Sequence, residues 1–323
     1  MMKRLFIIGN GFDIAHGLNT RYSNFMEYLL QYEKTPREII PGFVDKNTMS
    51  KDDIERHALY DKISRYISVP DLWNCFEDAL GSIDIESIKD DNSCYMLGYG
   101  DDNWRDSAHH DYQYMINEEL NFTDDIVKWF FQWIDTINTH VPPIPRYIGM
   151  FTPEDVFMTF NYTDTLEAVY GIPESRINYI HGKARRDSQL VLGHHNEDYF
   201  TEPVDRNKMS EEEYENYCEY MSGMDVREQE ADEIIESYFR RTFKDTAAII
   251  QSNRGFFNSL NDVGEIYIFG HSLSYIDYDY FCEIKNQVSM NCPWYISCFS
   301  AQDYRRALSL IQSLDIKNAQ IIS

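Results

Sequence analysis

The sequence is poor in cations. It sets 29 Lys and Arg against 54 Asp and Glu, a formal charge of −25 over 323 residues. Attachment to a nucleic-acid backbone needs clustered Lys and Arg, so this balance argues against general nucleic-acid binding. It also opposes long-range steering of an anionic ligand, although fixed backbone N–H groups can still hold a diphosphate locally. No apolar run approaches the roughly 20 residues that span a bilayer, so no membrane partner is expected. Met1-Met2-Lys3-Arg4 precedes only a short apolar stretch, Leu5 to Ile8, before Gly9. A signal peptide needs roughly 7–15 apolar residues there, so the stretch is expected to be a buried strand of a cytoplasmic protein.

Metal-binding spacings are missing as well. The six cysteines contain no Cys-x-x-Cys pair, and the nine histidines form no His-x-x-x-His or His-Glu-x-x-His arrangement. Reduced, structural cysteines and no metal are the expectation. The adjacent pairs His109-His110 and His194-His195 are expected in loops or at strand edges. There are no internal repeats and no low-complexity tract.

What is present is a chain 43% hydrophobic and 15% aromatic, enough for a large core. Its patterning predicts an α/β, Rossmann-like fold: a mostly parallel sheet flanked by helices, with helical insertions. The whole chain, 1–323, is expected to be one such domain. Residues 3–9 read as the first strand and Tyr22–Tyr32 as a helix with Phe25, Tyr28 and Leu29 on one face. Residues 42–146 read as a helical insertion, with amphipathic segments at Asp52–Tyr66, Asp71–Ser82 and Tyr112–Ile137 around a loop at Asp90–Asp106. Pro142-Pro143-Ile144-Pro145 ends it. Strands at Asp155–Phe160, Arg176–His181 and Gln189–Gly193 and a helix at Thr163–Val169 follow. A second, acidic helical insertion covers 202–241, where the charge points to a solvated face. Neither insertion is expected to contain a β-sheet. The remainder predicts helix Thr246–Leu260, strand Glu265–Gly270, helix Ile276–Gln287, strand Trp294–Ser300, helix Ala301–Leu314 and strand Ala319–Ile322.

Ligands of open α/β sheets bind beyond the carboxyl ends of the strands, so the residues that follow each strand are the candidates. The first strand runs into Gly9-Asn10-Gly11-Phe12-Asp13. Two glycines would let this turn approach a diphosphate and expose N–H groups, or would merely make a tight turn. The segment matches neither the Gly-x-Gly-x-x-Gly fingerprint nor a Gly-Lys-Ser/Thr P-loop. Asn161-Tyr162-Thr163-Asp164 comes next, where Asn161 would project into the crevice, or Asn161 or Thr163 would cap a helix. In His181-Gly182 the glycine allows close backbone approach, and His can change protonation near neutral pH. Gly270-His271-Ser272-Leu273, with Asp277 and Asp279 downstream, suits ribose or phosphate hydrogen bonding, or a helix cap. It lacks the second glycine of a hydrolase nucleophile elbow.

The stretch Phe6 to Leu18, followed by Thr20 and Tyr22, resembles the opening signature of the abortive-infection AbiH family of anti-phage proteins. Trp73 with Phe76-Glu77, Phe160 to Glu167, Ile180-His181-Gly182 and Phe269 to Leu273 continue the likeness in order. The same order is more distantly similar to sirtuin-like NAD-binding domains, including NAD-degrading defence effectors. That likeness implies NAD, as substrate or ligand, with Gly9 and Gly11 cradling phosphate. It places Asn161 and Asp164 at the nicotinamide ribose, His181 as general base, and Gly270 and Ser272 on the adenosine side. Asp13 stands where the sirtuin-like motif has Ser, which sets an acid near the expected phosphates. The missing Cys pair argues against the sirtuin zinc module and protein deacylation.

The expected function is therefore an anti-phage effector that binds NAD or a related nucleotide and hydrolyses its N-glycosidic bond. One rival is a non-catalytic nucleotide sensor whose helical insertions form an oligomer or defence-complex surface. Another is a metal-dependent nuclease using Asp13, Asp164 and His181, which the charge balance disfavours.

Overall fold

The computed structural model describes residues 2–40, 43–67, 73–98, 100–106, 108–184, 190–201 and 204–322, with backbone alone at 73–76. Its centre is β1 (Lys3–Ile8), whose Leu5, Phe6, Ile7 and Ile8 are all buried. A strand buried on both faces belongs inside a covered parallel sheet. β1 pairs in parallel with β4 (Val156–Thr159) on one side and β6 (Val263–Phe269) on the other. β5 (Ile177–Tyr179) extends the first side, and β7 (Trp294–Ser297) and β8 (Ala319–Ile322) extend the second. The order β5-β4-β1-β6-β7-β8 makes a six-stranded, all-parallel sheet. It is the doubly wound order, in which the winding direction reverses between β1 and β6.

Side-chain alternation assigns each face. Leu5, Ile7, Met158, Ile266, Ile268 and Ile296 point to one side, under α11 (Thr246–Ser252), α12 (Arg254–Asn258), α13 (Tyr278–Gln287) and α14 (Ala301–Ser313). Phe6, Ile8, Phe157 and Phe269 point to the other, against Phe12 of α1 (Asn10–Ala15) and Leu166 of α8 (Thr165–Tyr170). A third core lies beside the sheet. It joins α2 (Tyr22–Leu29), α3 (Lys51–Tyr66), α5 (Ile85–Asn92), α6 (Ala108–Leu120) and α7 (Thr123–Thr136) to α10 (Val226–Arg241). Trp129, Phe130 and Tyr238 are fully buried there, each such side chain being worth roughly 1.5–3 kcal/mol of apolar transfer. α3 begins with a capping box in which Ser50 and Asp53 satisfy each other's backbone N–H groups, as Ser210 and Glu213 do for α9 (Glu211–Gly223). The two acidic helices differ: α9 has no buried residue, whereas α10 buries Ala231, Ile235, Tyr238 and Phe239.

Several expectations are corrected. An antiparallel hairpin, β2 (Glu38–Ile40) with β3 (Phe43–Val44), opens the first insertion, so that region is not purely helical. The long segment 112–137 is two helices, because the chain turns at 121–122 to bury Phe122 and restarts with Asp124 and Asp125 at the positive end of α7. Part of the expected loop at 90–106 is the end of α5 and a short 3₁₀ turn. Gln189 lies outside the described residues and 190–193 form no strand; His194 makes an isolated bridge with Phe243. The helix expected at 246–260 breaks at Asn253, whose side chain bonds Ile249 O and Asn178. His109-His110 lie within α6 rather than in a loop. The described cysteines are free, with Cys94 and Cys218 exposed rather than structural. Among the described residues no helix is long and apolar enough to cross a membrane.

Candidate functional site

The reversal of strand order opens a cleft of about 670 Å³ beyond the carboxyl ends of β1 and β6. Gly9, Asn10 and Gly11 form one wall, and Gly270, His271 and Ser272 form another. Phe299, Ser300, Gln302 and Arg306, at and after the start of α14, close a third side, with Arg21 at the mouth. His181, Asp277 and Glu77 also line it.

The glycines owe their place to one another. The Gly11 N–H donates to Gly270 O at 2.8 Å, and the Gly9 N–H to Phe269 O at 3.0 Å. A Cβ on Gly11 would lie 2.8 Å from Gly270 Cα, and one on Gly9 would lie 2.5 Å from His271 Cα. Gly270 has φ +64°, and its own Cβ would strike Phe12 N at 2.2 Å. The turn after β1 and the turn after β6 are thus in backbone contact. Two N–H groups expected to face a diphosphate are spent on this contact.

The deep end of the cleft holds a buried ionic cluster. Lys244 follows α10 and is wholly enclosed; its Nζ lies 2.9 Å from Asp277 Oδ1 and 3.4 Å from Glu77 Oε1. Asp277 also faces two imidazoles, His271 Nε2 at 3.4 Å from Oδ2 and His181 Nε2 at 3.7 Å from Oδ1. The Leu273 N–H donates to His271 Nδ1 at 2.9 Å, which leaves the His271 proton on Nε2, toward Asp277. Leu273 has φ +53°, a left-handed strain of the kind found where a site is held in shape. Burial alone would push the Asp277 carboxyl up, but Lys244, then His271 and His181, hold it far below the usual carboxylate range. Lys244 stays charged because Asp277 and Glu77 outweigh its burial. Burial pushes Glu77 up to about 7, against the pull of Lys244. Burial, then Lys244, holds His181 well below its ordinary value, so its imidazole is neutral near pH 7.

A second, small chamber of about 30 Å³ adjoins this cleft, sharing Asn10, Phe160 and Tyr162 as walls. Asp13, Thr20, Asn161 and Thr163 face it. Thr163 Oγ1 donates to Asp13 Oδ2 at 2.5 Å, while Asp13 Oδ1, Thr20 Oγ1 and Asn161 Oδ1 have no protein partner. A space of this size admits a water, which needs such partners. Burial pushes Asp13 up to about 6, against hydrogen bonds from Thr163, Thr165 and Asn161.

The predicted residues therefore divide. His181, Gly9, Asn10, Gly11, Gly270 and Ser272 share the large cleft. His181 does not stand at its mouth beside Asn161, as expected, but is buried at its deep end. Asn161 and Asp13 face the small chamber, Phe12 is packed in the sheet's aromatic face, and Gly182 lies outside the lining with φ +85°. Asp164 accepts from Thr139 Oγ1 at 2.6 Å and also lies outside the lining. Lys244 was missed, because a single Lys after an acidic helix reads as surface. Arg21 and Arg306 were missed too; they lie 285 residues apart in sequence and meet only through the fold.

No curated protein and no solved structure matches the chain. The family model of bacteriophage abortive infection AbiH matches residues 5–298, from within β1 to the residue after β7, so the cleft lining from Gly9 to Ser297 falls inside it. On that span the chain belongs to the bacteriophage abortive infection AbiH family, and its role lies in abortive infection by phage.

Proposed function

We propose that the cleft binds NAD or a related dinucleotide and that the protein cleaves its N-glycosidic bond. The observation that carries this reading is the position of the cleft: it opens where the strand order reverses, between β1 and β6, which is where doubly wound sheets take dinucleotides. With the glycine-turn N–H groups largely used, Arg21 and Arg306 are, among the described residues, the cations that line the cleft and could meet a diphosphate. Departure of nicotinamide leaves a cationic ribosyl centre, and the buried carboxylates at the deep end supply the negative field that stabilises it. A neutral His181 can accept a hydrogen bond from a ribose hydroxyl. The same environment that keeps it neutral makes it a weak base.

The rival nuclease reading needs Asp13, Asp164 and His181 on one metal. Asp13 and His181 face different cavities, and Asp164 lines neither, which disfavours it. Incubating the purified protein with NAD and following products by chromatography tests the proposal. Release of nicotinamide with ADP-ribose is expected. Stoichiometric binding without products would instead favour a nucleotide sensor.

A further inference from the structure

The deep end of the cleft has one more carboxylate than ammonium. Glu77 and Asp277 are both buried, and they share a single ammonium, Lys244. A buried, uncompensated negative charge is relieved either by a proton or by a cationic guest. Geometry decides which carboxylate is left over. Asp277 takes the shorter contact to Lys244, at 2.9 Å, and has both imidazole Nε2 atoms within 3.7 Å. Among the described residues Glu77 has the longer contact to Lys244, at 3.4 Å, and no imidazole beside it. Asp277 is the locked anion, and Glu77 is the acid free to gain and lose a proton. It lines the cleft from α4 (Trp73–Leu80), with Asp78 beside it and the Tyr280 hydroxyl and Asp277 in its field.

We propose that Glu77 is the catalytic carboxylate of the cleft, facing the ribosyl centre and accepting the proton of the attacking water. This deepens the NAD-cleaving reading and rests on it. In the step, the bond between ribose C1′ and the nicotinamide ring nitrogen breaks, and its electron pair goes to that nitrogen. The water oxygen bonds C1′, and its proton passes to Glu77 and then to bulk solvent. NAD and water thus give ADP-ribose, nicotinamide and one proton, with no co-reactant. Ionised Glu77 is the cationic centre's nearby counter-charge, and its proton affinity, pushed up to about 7 by burial, suits a base working near neutral pH. Lys244 and Asp277 act as positioning residues. The first insertion then has a chemical reason to exist, because it delivers the one of the two buried carboxylates that is not locked by the imidazoles.

The test compares NAD turnover by wild type, Glu77→Gln and Glu77→Asp across pH 5–9, with NAD affinity and melting temperature measured for each. Wild-type turnover should rise through an ionisation near 7 and then level. Glu77→Gln should lose about a hundred- to ten-thousandfold in turnover, keep its NAD affinity and lose that ionisation. Glu77→Asp keeps a carboxylate beside Lys244 but withdraws it, so it should turn over at least tenfold more slowly while retaining the ionisation. A merely structural Glu77 would lower the melting temperature and leave turnover per folded molecule, and its pH profile, unchanged; that outcome overturns the assignment while the NAD-cleaving reading stands. A wild type that cleaves no NAD overturns both.

Discussion

Two buried carboxylate clusters sit side by side beneath the strand ends, and they behave differently. In the large cleft Asp277 is enclosed, yet held far below the usual range, because Lys244 and two imidazoles surround it. In the small chamber Asp13 is equally enclosed and pushed up to about 6, with only hydroxyl and amide donors to oppose burial. Glu77 shares Lys244 but takes its longer contact and lies near Asp277, and it is still pushed up, to about 7. Burial sets the direction in which a carboxyl moves, and one well-placed ammonium reverses it. The cluster with the cation lines the large cleft; the one without lines the small cavity beside it.

Removing that cation should have the largest effect. Lys244→Met leaves two buried acids without a counter-charge and should cost about 3–5 kcal/mol of folding free energy in urea titrations. A loss below about 1 kcal/mol would mean that the two clusters do not differ in the way described. Next comes the backbone contact between the two glycine turns. Gly11→Val sets a Cβ 2.8 Å from Gly270 Cα and O, backbone that cannot give way cheaply. It should lower stability by about 2–3 kcal/mol, at the upper end of ordinary overpacking, and lower the melting temperature with or without nucleotide. A variant that melts normally but no longer binds nucleotide would return Gly11 to the phosphate-cradling role.

Asp13→Asn should act in a pH-dependent way. The folded-state value of about 6 exceeds the unfolded one, so Asp13 contributes stability that is fully present below about pH 4 and is lost as pH rises through 6. Relative to wild type, Asp13→Asn should gain roughly 2–3 kcal/mol between pH 4 and pH 8 in denaturant titrations. A flat difference would show that the chamber already compensates the charge. The smallest effect belongs to α9, which buries nothing: Tyr220→Ser should change stability by less than about 0.5 kcal/mol.

Much of this architecture is legible in the sequence, for identifiable reasons. β1, β6, β7 and β8 are short apolar runs between clear breakers, and helices at 51–66, 278–287 and 301–313 carry amphipathic spacing or capping signals. Strand order is not legible, since it is fixed by crossovers, yet it alone locates the cleft. The opening signature drew attention to Gly9 and Gly11, but their reason, Gly270, lies some 260 residues away. Glu77 and Asp277 were noticed as parts of motifs without a role, because their shared partner Lys244 gives no local signal. The hairpin could have been found: Pro41-Gly42 between Ile39-Ile40 and Phe43-Val44 is a turn dipeptide between two apolar pairs.

The central claim is that the cleft at the β1–β6 reversal holds a dinucleotide. Calorimetric titration of NAD into wild type and into Ser272→Trp tests it most directly, because the indole would fill the cleft from a residue of its lining. Saturable, one-to-one binding by wild type and at least tenfold weaker binding by Ser272→Trp, at an unchanged melting temperature, is the predicted result. Equal affinity in both proteins, or no binding by wild type, would contradict it.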